Sequence, residues 1–142
     1  MSKEIYLFNK LHKKTARDYI SRMVDDKVFC MTKAKEYGYD YWDGDRRFGY
    51  GGYKYDGRWK EIAKDLIDIY NLTNQAKILD VGCGKAFLLY ELTQLLPGIQ
   101  IAGFDISAHG IGDAKEEIKQ YLYQAKAQDK YYYADNEFDL VI

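Results

Sequence analysis

The sequence predicts an α/β protein in which a parallel sheet is flanked by helices and preceded by a helical, Tyr- and Gly-rich segment. The first observation is that residues 58–142 alternate between short apolar runs and stretches whose apolar residues recur at helical spacing. Such alternation is typical of parallel strands joined by right-handed crossovers. The second is that 142 residues with 47% hydrophobic and 30% charged side chains have the composition of one globular unit with a buried core. We therefore divide the chain into residues 1–57 and 58–142.

Two helices are predicted near the N-terminus, over about residues 8–24 and 28–37. The first is amphipathic, because apolar residues recur at helical spacing and basic residues occupy the other side. Residues 1–35 hold nine Lys or Arg and four Asp or Glu, which also allows a basic contact face for nucleic acid. A solvated helix face is favoured, because no aromatic groups interleave with the basic ones to stack on bases. The apolar positions are Phe8, Leu11, Thr15, Tyr19 and Met23.

Residues 37–57, YGYDYWDGDRRFGYGGYKYDG, show neither helical nor strand period. Because Tyr and Trp bury large areas, this stretch is predicted to be an ordered loop that folds onto the rest of the chain. We call it the aromatic segment. Packing of a docked loop is the favoured role for its rings, among them Tyr41, Trp42, Phe48, Tyr50 and Tyr53.

Residues 58–142 are predicted to contain three helices and four strands. The second helix ends at Pro97 and Gly98, a pair that stops helices. In chain order the elements are a helix over 58–72, a strand over 76–81, a helix over about 85–96, a strand over 99–106, a helix over 108–120, and strands over 121–127 and 138–142.

A glycine turn joins the first of these strands to the following helix. Gly82 and Gly84 allow a sharp turn and the close approach of a ligand, at a place where unpaired backbone N–H groups are expected. Asp105 ends the neighbouring strand, 23 positions after Gly82, where its carboxylate can accept hydrogen bonds from ribose hydroxyls. The alternative role for Asp105 is to cap the next helix, although Ser107 can do that itself. The sequence therefore predicts a site for a nucleoside cofactor.

A dinucleotide-binding turn is disfavoured. The NAD fingerprint requires a third glycine three positions after Gly84, where this chain has Phe87. An NAD(P)-binding oxidoreductase thus stays the less favoured alternative.

Three stretches in order resemble the class I S-adenosylmethionine-dependent methyltransferase family: ILDVGCGKAFLL, GFDIS and DNEFDLVI. The resemblance covers residues 58–142 and implies a Rossmann-like fold, methyl transfer and S-adenosylmethionine as cofactor. The cofactor-binding residues that it implies are Asp80, Gly82, Cys83, Gly84, Asp105 and Ile106.

The same resemblance implies roles for these positions. Asp80 would help to place the methionine part, the glycines would lie beneath methionine and ribose, and Asp105 would take the ribose hydroxyls. Gln128 or Asp129 would contact the adenine amino group. The family's third glycine is replaced by Ala86, so weaker but not absent binding is expected.

Further candidates come from likeness to family members whose N-terminal segment closes over the cofactor. Tyr53 would cap the cofactor, and Arg58 would pair with its carboxylate. No catalytic base is assigned, because His109 is expected to be a surface residue at a helix start. Cys83 is expected to offer its backbone N–H to the cofactor rather than to act as a nucleophile.

The remaining expectations concern context. A cytoplasmic protein is expected, because there is no secretory signal or long apolar span, and neither a membrane nor nucleic acid is an expected partner. The isolated Cys30, Cys83, His12 and His109 suggest neither a disulfide nor a metal site. The methyl acceptor and the oligomeric state are left open.

The last predicted strand, FDLVI, also carries an expectation. Its apolar character is typical of a central strand, so the chain is expected to be an incomplete form that binds the cofactor weakly and has no turnover. A non-catalytic nucleoside-binding or interaction module is the alternative function.

Overall fold

The structure, a computed structural model, describes residues 4–11, 18–24 and 26–142. The first predicted helix includes Thr15 and other residues outside these ranges. Within them, Phe8–Lys10 form a 3-10 helix and Tyr19–Val24 form helix α1. Met23 is 74% exposed, so the predicted apolar face is not buried at this position. Helix α2 spans Lys27–Ala34 and begins after Asp26, whose carboxylate accepts the Phe29 backbone N–H.

Four parallel strands form the sheet, in the order β3-β2-β1-β4. β1 is Lys77–Val81, β2 is Gln100–Asp105, β3 is Leu122–Gln124 and β4 is Leu140–Val141. In the register, Ile78 of β1 pairs with Ile101 on one side and with Leu140 on the other. The strand order therefore reverses direction at β1, which places a topological switch point between β1 and β4.

The helices of the α/β part are α4 (Trp59–Tyr70), α5 (Phe87–Leu95) and α6 (Ala108–Gly112). The predicted helix over 108–120 is wrong in its length, because α6 ends at Gly112 and a separate 3-10 helix spans Glu116–Tyr121. Two glycines weaken the helix, and Lys115 between the two pieces adopts an extended conformation. The last two strands are also shorter than predicted.

The hydrophobic core lies between the sheet and the helices α4 and α5. Ile62 of α4, Ile78 of β1 and Leu89 of α5 are completely buried in it. Helix α4 ends at Asn71, which adopts a left-handed conformation and donates its backbone N–H to the carbonyl of Ile67. The core thus fixes the carboxyl end of β1, where the glycine turn begins.

The aromatic segment contains the short helix α3 (Tyr39–Trp42) and packs onto the carboxyl ends of the strands. Within the described ranges, no helix has the length and apolar character needed to cross a bilayer.

Candidate functional site

The glycine turn is tied to the neighbouring strand β2. The backbone N–H groups of Gly82 and Cys83 both donate to the carbonyl of Phe104, at 2.8 and 3.0 Å. The N–H of Gly84 donates to the Asp105 carboxylate at 2.8 Å. Our expectation that these N–H groups are unpaired, and that Cys83 offers its own to a cofactor, is therefore wrong. The register places the Phe104 carbonyl beside the turn, where it satisfies them internally.

The two glycines of the turn face different surroundings. A Cβ added at Gly82, where φ is +80°, would have nothing within 4 Å. One added at Gly84, where φ is +58°, would lie 2.7 Å from Cη2 of Trp42. Ala86 also has a positive φ of 54°, so this residue occupies a conformation in which the family's glycine would be unstrained. Open space therefore lies next to Gly82, whereas Gly84 lies under an indole ring.

A cavity of about 220 Å³ lies over the turn. Its walls combine the turn and the end of β1 with several aromatic rings from the N-terminal part of the chain. The lining residues are Phe8, Trp42, Tyr50, Tyr53, Trp59, Asp80, Gly82, Cys83, Gly84, Lys85, Ala86, Phe87, Leu88 and Ile142.

Asp80 is a buried acid in this cavity. It is 8% exposed, and no described residue donates a hydrogen bond to its carboxylate. Burial, together with the negative charge of Asp105, raises the pKa of Asp80 to about 7. Because Asp80 lines the cavity and its carboxylate has no donor among the described residues, a ligand that brings hydrogen-bond donors or positive charge would be stabilised beside it.

Asp105 organises the neighbouring turns. One carboxylate oxygen accepts the Gly84 N–H, and the other accepts the Ser107 N–H at 2.7 Å. Ser107 itself caps α6, because its hydroxyl accepts the Gly110 N–H at 2.9 Å, so Asp105 is not the cap. Each carboxylate oxygen has a further lone pair, but Asp105 is buried and does not line the cavity.

Trp42 anchors the aromatic segment over the turn. Its indole N–H donates to the Ser107 hydroxyl at 2.8 Å, and its ring stacks on Tyr50 at a centroid distance of 5.2 Å. Tyr53 stacks on Phe87 at 5.4 Å and accepts a hydrogen bond from the Trp59 indole N–H at 2.7 Å. These rings pack against each other and also form a wall of the cavity.

A buried lysine, which the sequence analysis did not single out, joins the turn to the aromatic segment. The ammonium of Lys85 lies 2.6 Å from Asp43 and 3.0 Å from Asp113. Nε2 of His109 lies 2.8 Å from the same Asp43 oxygen, so His109 is not isolated. Although burial raises the pKa of Asp43, hydrogen bonds from Lys85 and His109 outweigh it and hold that pKa well below its usual range.

The same cluster has ligand atoms of Asp43, His109 and Asp113 within 4.8 Å of one another. Lys85 already supplies a positive charge to both carboxylates, so the group is an ion-pair network. Its members lie up to 70 positions apart in the sequence, and no local pattern indicates their proximity.

Five of the residues singled out from the sequence do not line the cavity: Asp105, whose carboxylate is bonded to Gly84 and Ser107, and Arg58, Ile106, Gln128 and Asp129. Arg58 forms a surface ion pair with Asp56 at 2.5 Å. Ile106 is 41% exposed, and its carbonyl accepts a hydrogen bond from Gln124. Gln128 and Asp129 lie exposed in a turn after β3. Their proposed contacts with a cofactor stay predictions, whereas Tyr53, Asp80 and residues 82–84 meet at the cavity.

Cys83 does not have the environment of a nucleophile. Burial, followed by the negative charges of Asp80 and Asp105, raises the pKa of its thiol. The nucleophilic form of cysteine is the thiolate, which this environment disfavours.

A family model described as a methyltransferase domain matches residues 72–142, half of the chain. The chain belongs to this methyltransferase domain family. The match confirms the family predicted from the three sequence stretches, and the parallel sheet with its flanking helices confirms the Rossmann-like fold. No curated protein matches the methyltransferase chain.

A solved structure also matches this methyltransferase domain. It is coclaurine N-methyltransferase bound to N-methylheliamine and SAH, with 13% sequence identity and a TM-score of 0.45. The match covers 89% of this chain and 43% of the coclaurine N-methyltransferase chain, so the protein spans less than half of that structure's length.

Proposed function

We propose that the chain binds S-adenosylmethionine at the glycine turn and takes part in methyl transfer from it. The observation that carries the proposal is Asp80, whose largely buried carboxylate lines the cavity beside Gly82 and has no hydrogen-bond donor among the described residues. This place is at the carboxyl end of β1, next to the strand-order reversal, where open α/β sheets bind their ligands. Membership of the methyltransferase domain family supports the same ligand.

The residues present fit this cofactor. The Asp80 carboxylate can accept hydrogen bonds from the ammonium group of the methionine part, which also offsets the cost of its burial. Gly82 leaves room for close approach, because a side chain there would enter the open space. The proposal also assigns the ribose hydroxyls to the remaining lone pairs of Asp105, a buried side chain that lies outside the cavity lining.

The bound cofactor would supply an electrophilic methyl group on its sulfonium. The contribution of the chain is then to hold the cofactor and to exclude water, since transfer to a nucleophile requires an aligned geometry more than a strong base. Trp42 and Tyr53 close one side of the cavity, and Cys83 stays a neutral thiol. We propose a cytoplasmic setting for this activity, supported by the reduced thiol of Cys83.

Titration calorimetry with S-adenosylhomocysteine, S-adenosylmethionine and NAD tests the ligand. We expect both adenosyl compounds to bind and NAD to give no heat. Asp80→Asn should weaken S-adenosylhomocysteine binding about tenfold or more, because hydrogen bonds to charged groups contribute roughly 1.5–3 kcal/mol. The matched control is Asp68→Asn, on an exposed position of α4, which should bind like the unmodified protein. Binding of NAD alone would contradict the proposal and favour an oxidoreductase fragment.

Label transfer from methyl-labelled S-adenosylmethionine to an extract of possible acceptors tests the second part of the proposal. Transfer that depends on the protein and is lost in Asp80→Asn supports a methyltransferase. Binding of S-adenosylhomocysteine without any transfer would instead favour a nucleoside-binding module.

A further inference from the structure

Lys85 carries a buried positive charge within the glycine turn. The conformation of the turn does not account for this burial. Only 4% of its side chain is exposed, although lysine is among the residues least often buried. Its principal partner, Asp43, also has a largely buried side chain, 14% exposed, and belongs to the aromatic segment. The pair therefore joins the segment that closes the cavity to the turn that forms the cavity floor.

Asp43 connects the ion pair to the rings of the segment. Its other carboxylate oxygen accepts the backbone N–H of Tyr53 at 3.1 Å, and its chain neighbour is Trp42. Lys85 therefore contacts an acid that is joined to two aromatic residues of the cavity wall, to Trp42 as its chain neighbour and to Tyr53 by a hydrogen bond. His109 and Asp113 join the same network from α6 and the residue after it.

The ion pair between Lys85 and Asp43 can link the glycine turn to the aromatic segment. Two charges taken out of water hold each other in one geometry, and removal of one partner leaves an uncompensated buried charge. The indole of Trp42 adds its hydrogen bond to Ser107, which fixes the ring but not the approach of Asp43.

We propose that Lys85 is a positioning residue, whose ion pair with Asp43 holds Trp42 and Tyr53 over the glycine turn and thereby sets the affinity of the site for its adenosyl ligand. The inference about affinity rests on the proposed function. The inference about position rests on the contacts alone.

The experiment uses Trp42 as a reporter. The chain has two tryptophans, so Trp59→Phe leaves Trp42 as its single indole. In this background we compare Lys85→Met, Asp43→Asn and the control Lys64→Met, which removes an exposed lysine paired with Glu61 on α4. The emission maximum of Trp42, its quenching by acrylamide and the affinity for S-adenosylhomocysteine are measured on each protein, with circular dichroism as the check of folding.

We expect Lys85→Met and Asp43→Asn to shift the Trp42 emission to longer wavelength and to increase its quenching. Their affinity for S-adenosylhomocysteine should fall about tenfold, which corresponds to roughly 1.4 kcal/mol. Lys64→Met should change neither quantity. Asp43→Asn keeps the shape of the side chain, so it decides the question if Lys85→Met does not fold.

Two results would overturn the inference: folded variants with unchanged Trp42 emission, or variants whose emission shifts while their affinity stays unchanged. Failure of the unmodified protein to bind S-adenosylhomocysteine contradicts the proposed function instead. In that case the emission shift alone decides whether Lys85 positions the segment.

Discussion

Substitution of Gly84 by alanine tests how the aromatic segment lies on the glycine turn. An added Cβ would lie 2.7 Å from Cη2 of Trp42, closer than real Cβ contacts, so the indole must move. Gly82→Ala is a matched control from the same turn. Its φ is also positive, at +80°, but nothing lies within 4 Å of an added Cβ.

The expected magnitudes follow from these two environments. Both substitutions place an L-residue in the left-handed region, at a cost of roughly 1–2 kcal/mol. Both also recover about 0.4–1 kcal/mol, because alanine lowers the entropy of the unfolded chain. Only Gly84→Ala adds overpacking, which costs about 1–3 kcal/mol. We therefore expect its free energy of unfolding to fall by about 1–3 kcal/mol more than that of Gly82→Ala.

Urea unfolding followed by circular dichroism measures this difference, provided that the m-values agree. Trp42→Phe combined with Gly84→Ala should recover part of the loss, because the smaller ring gives room to the new methyl group. Ligand affinity should follow the opposite order, since the methyl group of Gly82→Ala enters the cavity. Equal stability losses in the two alanine variants would refute the placement of Trp42 on Gly84.

Three further predictions concern the acids of the site and its surroundings. Asp105→Ala removes the acceptor of two backbone N–H groups, so urea unfolding should show a loss of about 2 kcal/mol or more even without ligand; unchanged stability would contradict the hydrogen bonds of Asp105. Because the pKa of Asp80 is raised from 3.8 to about 7, the native state retains a proton that the unfolded chain has lost between these values. The contribution of Asp80 to the free energy of unfolding is therefore fully present below about pH 4. It is lost as the pH rises through 7, and the loss is at most about 4 kcal/mol. Asp80→Asn should remove this fall when unfolding curves are taken from about pH 4 to 8. An unchanged dependence of the unfolding free energy on pH would contradict the raised pKa of Asp80. Tyr55 donates a 2.6 Å hydrogen bond to Glu91, which is 3% exposed, so Tyr55→Phe should lower the melting temperature through a cost of about 1–3 kcal/mol. An unchanged melting temperature would show that Glu91 finds another donor.

The sequence is sufficient to predict the local features of the site. The apolar run before Gly82 marks β1, and the position of Asp105 at the end of the next strand follows from its spacing. The role of Ser107 as a helix cap is also confirmed. These features depend on residues close together in the chain, where strand and turn preferences act directly.

Long-range features could not be predicted in the same way. The Phe104 carbonyl satisfies the turn because of the register between β1 and β2, which the sequence alone does not specify. The contact of Lys85 with Asp43 joins residues 42 positions apart. A lysine at the start of an apolar helix gives no sign that its charge is buried, because its partner comes from a segment without periodicity.

The docking of the aromatic segment also has a consequence for the order of folding. Trp42 and Asp43 make their contacts with Ser107 and His109, at sequence separations of 65 and 66 residues. Contacts between such distant residues carry a large loop-closure entropy and form late. During synthesis the segment is made before β1, β2 and α6, so at that stage it has no surface on which to fold. Although it is made early, we expect it to acquire its structure only after the sheet beneath it has formed.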